Sequence, residues 1–331
     1  MKYLSLASAC VLLSSMAYAM ERTQVIQLEK GWNSVYLEVR PQIDNQNIST
    51  FVQSTIAENS TIPIELITGY FPLNSSVAYI DSPDEEIWKK AGWKTWIRDD
   101  LEESFLTNLY SLEAGKAYLI RSSKSFVWTI SGEVEKTRTV WQPNNFSFTG
   151  FQVGEIDVSF YTLFEDTALK NTAVYGLEDG KWKKLSLLDA PVEKGKAYWI
   201  FNTGEDNFQG SVELDLDDGA SSLNYLDILQ TKTISLFNKT NQTKTVILSL
   251  ENNSVPLSLI TKNALYKNIY TAVTTDIQTL TIPANSKALV KLGIRRSEID
   301  DNKERQGVLK MEVKETGEIQ RLPISAYGDT Q

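Results

Sequence analysis

The sequence contains no histidine, and its only cysteine is Cys10, close to the N-terminus. Without histidine the chain has no imidazole base, which excludes Ser-His-Asp and Cys-His catalytic machinery. Without a cysteine in the body of the chain, thiol nucleophiles, Cys/His zinc sites and disulfide staples are excluded as well. We therefore expect a protein that is stabilised by core burial and that has no histidine or thiol as a catalytic residue.

Basic residues are fewer than acidic ones, 33 against 42, which gives a net charge of −9. An acidic chain repels the phosphate backbone, so nucleic acid is excluded as a partner. The sequence also lacks a P-loop and a Rossmann fingerprint, so we expect no nucleotide cofactor. No apolar run beyond the N-terminal segment is long enough to span a membrane, and we expect no transmembrane segment there.

The first 19 residues are typical of an export signal. Lys2 supplies the positive charge, residues 3–15 are mostly apolar or small, and Ala17-Tyr18-Ala19 has the small-x-small form of a cleavage site. This pattern predicts cleavage after Ala19 and a protein of the periplasm or the cell exterior. The alternative is a lipoprotein signal at Cys10, which lacks the usual leucine three positions before the cysteine.

Among the remaining chemistries, only those based on carboxylates are open. A glycosidase needs two carboxylates, and residues 84–86, next to Trp88, are the best local acidic candidate, with a solvated loop as the simpler interpretation. Calcium needs only oxygen ligands, but the acidic clusters at 215–218 and 298–301 do not match the calcium-loop pattern. We therefore expect no metal site.

The body of the chain contains an internal repeat. Residues 113–120 reappear as residues 193–200, with six of eight positions identical. Each copy follows a strand pattern, at 32–39 and 146–153, and a short candidate helix capped by Ser49 or Ser159. Features repeated in the same order indicate tandem related modules. The motif residues are Gly115, Lys116, Ala117, Tyr118, Gly195, Lys196, Ala197 and Tyr198.

The repeated Gly-Lys-Ala-Tyr motif predicts a glycine turn that leads into a strand. Alternation along the strand puts Tyr118 and Tyr198 on one face and Leu119 and Trp199 on the other. One interpretation is a turn before a core strand, and the other is an aromatic binding face. We predict Trp32 and Trp128 as core positions. The tryptophans predicted to be exposed and to bind a ligand are Trp88, Trp93, Trp96 and Trp199.

The first module is longer than the second by an insertion between about residues 81 and 110. Asp100 to Glu103 resembles a capping box, and apolar residues follow at helical spacing. This segment predicts a short amphipathic helix packed on the sheet. Its apolar face comprises Leu101, Phe105, Leu106 and Leu109.

From residue 217 the pattern changes to a polar linker and then to short alternating strands with turn signals, typical of an immunoglobulin-like sandwich. The predicted fold is mainly β: two tandem related β-rich modules with short helices, followed by an immunoglobulin-like β-sandwich. We place the signal peptide at 1–19, the modules at 20–135 and 136–216, and the sandwich at 217–331.

The start of the first module, a Gly-Trp-Asn-x-Val-x-Leu-x-Val-x-Pro pattern at residues 31–41, resembles that of large secreted bacterial proteins. In those proteins such modules precede LamG (concanavalin-like) jelly-roll domains. The resemblance implies export and a modular β architecture, and it supplies no catalytic residues. Because residues 1–331 hold no jelly roll, it implies that the chain acts alone or that a partner carries the jelly roll.

These observations favour a non-catalytic exported structural or interaction protein of the bacterial envelope or surface, acting through β-strand edges on an envelope or secreted protein partner. One alternative is a carbohydrate-binding protein that uses exposed tryptophan and tyrosine rings. A second alternative is a glycan hydrolase with a carboxylate pair. A recoverable partner, a glycan-dependent fluorescence change, or activity on envelope glycans separates the three.

Overall fold

The computed structural model describes residues 20–43, 47–56, 61–71, 92–204, 207–216, 219–251 and 254–328. The predicted signal peptide with Cys10, the acidic candidates at 84–86 and Trp88 lie outside the described residues. Within the described residues, no helix is long and apolar enough to cross a membrane.

The first module consists of two sheets that enclose one core. A four-stranded sheet has the order β2-β6-β4-β5, and a three-stranded sheet has the order β1-β7-β3. Between them lie apolar residues from both sheets and from helix α1 (Ile48–Ser54), among them the buried Trp128. The strands are β1 (Glu21–Leu28), β2 (Gly31–Leu37), β3 (Arg40–Pro41), β4 (Ile64–Tyr70), β5 (Trp93–Ile97), β6 (Lys116–Ser122) and β7 (Phe126–Glu133).

The second module has a four-stranded sheet with the order β8-β11-β9-β10. In each four-stranded sheet, counting only its own strands in chain order, the first strand lies at one edge, the fourth pairs beside it, and the second and third follow. A short helix follows the first strand in each case, here α2 (Phe160–Phe164). The strands are β8 (Asn145–Gly150), β9 (Val174–Glu178), β10 (Lys181–Lys184) and β11 (Ala197–Asn202), with a 3₁₀ helix at Ala168–Asn171.

The helix caps agree with the sequence in one module and differ in the other. Ser159 caps α2, as predicted, and its Oγ accepts a hydrogen bond from Thr162 N at 3.2 Å. Helix α1 is capped by Asn47, whose Oδ1 accepts from Thr50 N at 3.0 Å. The predicted cap Ser49 was wrong, because the helix begins one residue before it and leaves its hydroxyl for other partners.

The amphipathic helix predicted from Asp100 is also corrected. Residues Glu102–Leu106 form a 3₁₀ helix without a side-chain cap. Because a 3₁₀ helix has three residues per turn, the predicted 3.6-residue stripe does not face one side. Phe105 is consequently 80% exposed and Leu106 38% exposed, while Leu109 is buried.

The C-terminal unit is a sandwich of two five-stranded sheets, in the orders β12-β14-β19-β16-β17 and β13-β21-β20-β15-β18, around one apolar core. Its strands include β12 (Val212–Leu216), which the sequence analysis placed in the second module. A 3₁₀ helix lies at Arg296–Glu298. The other strands are β13 (Leu223–Asn224), β14 (Thr231–Asn238), β15 (Lys244–Leu250), β16 (Leu257–Lys262), β17 (Asn268–Ala272), β18 (Asp276–Ile282), β19 (Lys287–Ile294), β20 (Glu304–Val313) and β21 (Ile319–Tyr327).

The boundary predicted at 216/217 therefore lies one strand too late, because β12 pairs with β14. The second module and the sandwich meet just before β12, where sandwich side chains hold the connecting backbone. Glu318 accepts hydrogen bonds from Ser211 N at 3.0 and 3.1 Å. Gln320 donates to Gln209 O at 3.1 Å and accepts from Leu214 N at 3.1 Å.

Glu318 gives this junction a defined pH dependence. Burial raises the pKa of Glu318 above its usual 4.5, against the opposing effects of hydrogen bonds from Ser211 and Thr316 and the charge of Lys244. The folded protein then holds this proton more tightly than the unfolded chain does. Protonation of Glu318 therefore stabilises the folded protein. This contribution to the free energy of unfolding is fully present below pH 4.5 and is lost as the pH rises through the folded-state pKa of Glu318.

We expect the free energy of unfolding of the natural protein, relative to that of Glu318→Gln, to fall as the pH is raised above 4.5. Urea titrations of both proteins over a pH series measure this difference. Glu315→Gln, which removes an exposed carboxylate from the same turn, is the matched control. An equal pH dependence for the two variants would contradict the assignment to Glu318.

Candidate functional site

The repeated motif forms the same local structure in both modules. Gly115 and Gly195 have φ values of +72° and +73°, which a glycine adopts readily. Tyr118 and Tyr198 are fully buried, and each hydroxyl accepts a hydrogen bond at 2.9 Å from the backbone N–H five residues earlier. These contacts are those of a turn that enters a core strand.

The other motif residues also have structural surroundings. Ala117 and Ala197 are buried in one cluster beside Tyr36. Lys196 Nζ lies 2.7 Å from Glu193 Oε1. Lys116 Nζ lies 5.9 Å from the centre of the Phe71 ring.

Loss of either tyrosine hydroxyl leaves a backbone N–H without its acceptor. We expect Tyr118→Phe and Tyr198→Phe each to lower the free energy of unfolding by about 1 kcal/mol. The double variant should lose about 2 kcal/mol, because the two sites belong to separate cores. Chemical denaturation measures these losses. Tyr110→Phe is the control, since its hydroxyl contact with Thr107 O is exposed, and a loss as large as the buried ones would contradict the argument.

The four-stranded sheets of the two modules pack face to face through an aromatic layer. Trp93 and Trp199 lie in this layer with a ring-centre distance of 6.2 Å, and Phe148 stacks on Trp199 at 4.9 Å. Tyr36 of β2 contacts the second module at Gly150, where an added Cβ would lie 2.5 Å from Tyr36 Cβ. The layer joins the modules and leaves little room for a ligand between them at this point.

The predicted exposure of three tryptophans is therefore wrong. Trp93 is 5% exposed and Trp199 is fully buried, because each of the two four-stranded sheets covers the face of the other that the sequence pattern left open. Trp96 is 2% exposed in the core of the first module, where its Nε1 donates to Ser49 Oγ at 3.0 Å. Trp128 is buried as predicted, and Trp32 is only partly buried.

The most exposed strand of the sandwich is β17, and sequence reasoning did not single it out. All five of its residues, Asn268–Ala272, are exposed. It lies at a sheet edge and, among the described residues, pairs only with β16. The hairpin loop before it exposes Leu265 and Tyr266, the latter to 83%.

The register of β17 shows which backbone groups face outward. Asn263 N donates to Lys267 O at 3.0 Å, and Val273 N donates to Leu257 O at 2.8 Å. Antiparallel pairs alternate between hydrogen-bonded and non-hydrogen-bonded positions. The backbone groups of Asn268, Tyr270 and Ala272 therefore point away from β16, along the open edge.

Two other edges of the sandwich differ from β17. Along β12, Lys136 Nζ lies 2.8 Å from Asp215 and Arg138 lies 3.1 Å from Glu213. Strand β18 buries part of its face against the core, and its pairing with β15 is interrupted by a register shift. Since charges and bulges normally protect edge strands, β17 stands out as neutral, regular and open.

Acidic side chains do not form a metal site within the described ranges, where no three potential ligands come together. Of the acidic candidates, Asp215 pairs with Lys136 and Glu298 with Arg295 at 2.6 Å. These contacts hold carboxylates at the surface, with the pKa of both lowered mainly by hydrogen bonds from the neighbouring cations.

No family model and no curated protein matches the sequence. Solved structures with limited likeness include a PapD-like domain of human CEP192, 10% identical, covering 37% of this chain and 87% of that chain, with a TM-score of 0.24. The CooA pilin subunit of enterotoxigenic Escherichia coli is 11% identical over 36% of this chain and 99% of that chain, with a TM-score of 0.23.

A third example is the CsuC–CsuE chaperone–tip adhesion subunit complex of Acinetobacter baumannii, 17% identical over 32% of this chain, with a TM-score of 0.21. The present chain spans 53% of that chain. At these values the likeness concerns the β fold alone and carries no argument about function. The resemblance to jelly-roll-associated secreted proteins stays a prediction.

Proposed function

We propose that this chain is a non-catalytic, exported interaction protein that binds an extended strand of a partner protein along β17. The observation that carries the proposal is the open backbone edge at Asn268, Tyr270 and Ala272 on a fully exposed, uncharged strand. Main-chain hydrogen bonds supply affinity in such β-augmentation, and pockets for alternate side chains supply specificity.

The side chains around β17 indicate the character of the partner strand. Ile269 and Tyr270 offer apolar contact, 45% and 60% exposed. Lys262 and Lys267 are exposed at the end of the hairpin. A fitting strand is apolar at its centre and acidic toward the end that meets these lysines. A second copy of the chain is disfavoured, because two molecules of net charge −9 repel each other.

Site-specific photo-crosslinking tests this proposal. p-Benzoylphenylalanine in place of Tyr270, in protein mixed with the envelope fraction of the source cell, should capture one partner. The same probe in place of Phe237, on β14 of the same sheet, is the position control. Capture at Phe237 and not at Tyr270, or a crosslinked homodimer, would overturn the proposal.

Two proline variants then separate edge pairing from folding. Ala272→Pro removes an N–H that points along the open edge, so the hairpin stays paired while capture is lost. Thr271→Pro removes an N–H directed at Leu259 of β16 and should disrupt the hairpin itself. Hydrogen exchange of the Tyr270 amide should be fast in the free protein and slow in the captured complex. Unchanged capture by Ala272→Pro would contradict strand addition.

The carbohydrate alternative loses three of the four tryptophans on which it was based, since Trp93, Trp96 and Trp199 are buried and Trp88 lies outside the described residues. The acidic residues 84–86 beside Trp88, on which the hydrolase alternative was based, lie outside the described residues. Protein binding is therefore the function that the geometry favours.

A further inference from the structure

A cleft of about 720 Å³ lies between the two modules, at the end of the aromatic layer. One wall is formed by the start of β2 and by β1, and the other by the β9–β10 turn and the Glu193–Lys196 turn. Both sequence motifs thus meet here, since Gly31-Trp32-Asn33 and the second Gly-Lys-Ala-Tyr turn line the same space. The cleft is separate from β17 in the sandwich.

At one position beside the cleft, the first sheet carries a much smaller residue than the second sheet does at the equivalent position. Ser34 pairs with Leu119 in the first sheet, as Phe148 pairs with Trp199 in the second. In the second sheet the Phe148 ring fills the aromatic layer. In the first sheet the equivalent residue, Ser34, contributes only a hydroxymethyl group. Ser34 is 7% exposed, and its Oγ has no hydrogen-bond partner among the described residues.

An aromatic ring and a planar cation lie side by side at the mouth of the cleft. Trp32 is partly buried and is the cross-strand neighbour of Arg121. The Arg121 side chain is 44% exposed and its Nε lies 3.2 Å from Glu65 Oε2, which orients the guanidinium. An indole beside polar groups can stack on the apolar face of a ligand ring while the polar groups bond hydroxyl groups at the edge of that ring.

The charges that line the cleft are nearly balanced. They comprise the carboxylates of Glu29, Asp179 and Glu193 and the cations of Lys30, Arg121, Lys194 and Lys196. Lys196 is paired with Glu193 at 2.7 Å. The lining therefore offers both donors and acceptors without a strong field of one sign, which favours a neutral polar ligand over a polyanion.

We propose that this cleft binds a neutral oligosaccharide, with a sugar ring stacked on Trp32 and hydroxyl groups bonded to Arg121 and Glu193. The site is independent of the strand edge proposed above.

Calorimetric titration with cellohexaose, chitohexaose and maltohexaose tests the proposal, and we expect at least one of them to bind at micromolar to millimolar concentration. Ser34→Phe places in the first sheet the side chain that fills the second, and should weaken binding by at least about tenfold. Arg121→Met, a change at a half-exposed position, should weaken it by about tenfold. Thermal melts establish that each variant is folded.

Tyr266→Asn is the matched control, because it removes the exposed ring of the sandwich hairpin and leaves the cleft intact. It should bind the sugar with unchanged affinity. Ala272→Pro should also retain the sugar while losing the protein partner, so failure of either proposal is visible without the other. No binding of any of the three sugars at millimolar concentration, unchanged affinity in folded Ser34→Phe, or preferential binding of oligogalacturonate or an extended peptide would overturn the proposal.

Discussion

Replacing Trp199 with alanine is expected to lower the free energy of unfolding by about 3–5 kcal/mol, as for other large buried aromatic residues. Trp199 is fully buried. Its ring centre lies 4.9 Å from that of Phe148, 5.6 Å from that of Tyr70 and 6.2 Å from that of Trp93. The variant removes contacts within the second module and across to the first at once.

Urea unfolding followed by near-ultraviolet circular dichroism measures this loss. Leu119 occupies the equivalent position in the first sheet and is also buried. Leu119→Ala should lose less, about 2–4 kcal/mol, since a smaller side chain is removed. Phe237→Ala, at a 39% exposed position of the sandwich, is the control and should lose less than about 1 kcal/mol. A loss at Trp199 no larger than that at Phe237 would show that the aromatic layer does not hold the modules together.

The repeated Gly-Lys-Ala-Tyr motif correctly predicted the strand that contains Trp199. It wrongly predicted that the Trp199 side chain is exposed. Alternation along the strand placed Tyr198 and Trp199 on opposite faces, and both faces prove to be buried. A period-two pattern tells which side chains share a face, but it contains no information about what covers that face. The covering sheet comes from the other module, more than 100 residues away along the chain for Trp93.

The same limit applies to the open edge and the cleft. Residues 268–272 read as an ordinary uncharged strand, and only the sheet order places them at an edge with a single partner. Trp32 was predicted as core from its strand position, yet the Ser34 cavity beside it leaves the ring partly exposed. The first repeat has Ser34 at the position where the second has Phe148. This difference is visible in the sequence when the two repeats are aligned strand by strand.

The domain boundary was misplaced for a related reason. The polar segment after Leu216 looks like a linker, but it connects β12 to β13 inside the sandwich. The true junction is held by Glu318 and Gln320, whose contacts with Ser211 and Gln209 span more than 100 residues of sequence. Short-range composition marks turns well and does not tell whether a turn separates domains.

The two modules and the sandwich meet at Arg321. Replacement of this residue is expected to cause the second large loss in the free energy of unfolding. Arg321 is on β21, and its side chain is 5% exposed. It donates to Glu251 Oε1 of the sandwich at 2.8 Å and to Gln152 Oε1 of the second module at 2.7 Å. Glu38 of the first module, also buried, lies 3.6 Å away. Burial lowers the pKa of Arg321, and the carboxylates of Glu251 and Glu38 act against that effect.

Arg321→Met should lower the free energy of unfolding by about 3–5 kcal/mol, because, among the described residues, it leaves the buried Glu38 with Arg22 as its only cationic neighbour. Arg305→Met is the matched control: its side chain is 46% exposed and 3.7 Å from Asp300, and exposed pairs contribute less than about 1 kcal/mol.

Adding Glu38→Gln to Arg321→Met removes the buried carboxylate that has lost one of its two cationic neighbours and should restore part of the loss, since the two side chains are coupled. The measurement is a double-mutant cycle by urea denaturation. Losses at Arg321 and Glu38 that simply add would mean that the charges act separately. A coupling of the expected sign would instead mean that Arg321 and Glu38 stabilise each other, so that the sandwich and the first module are energetically linked through this buried pair.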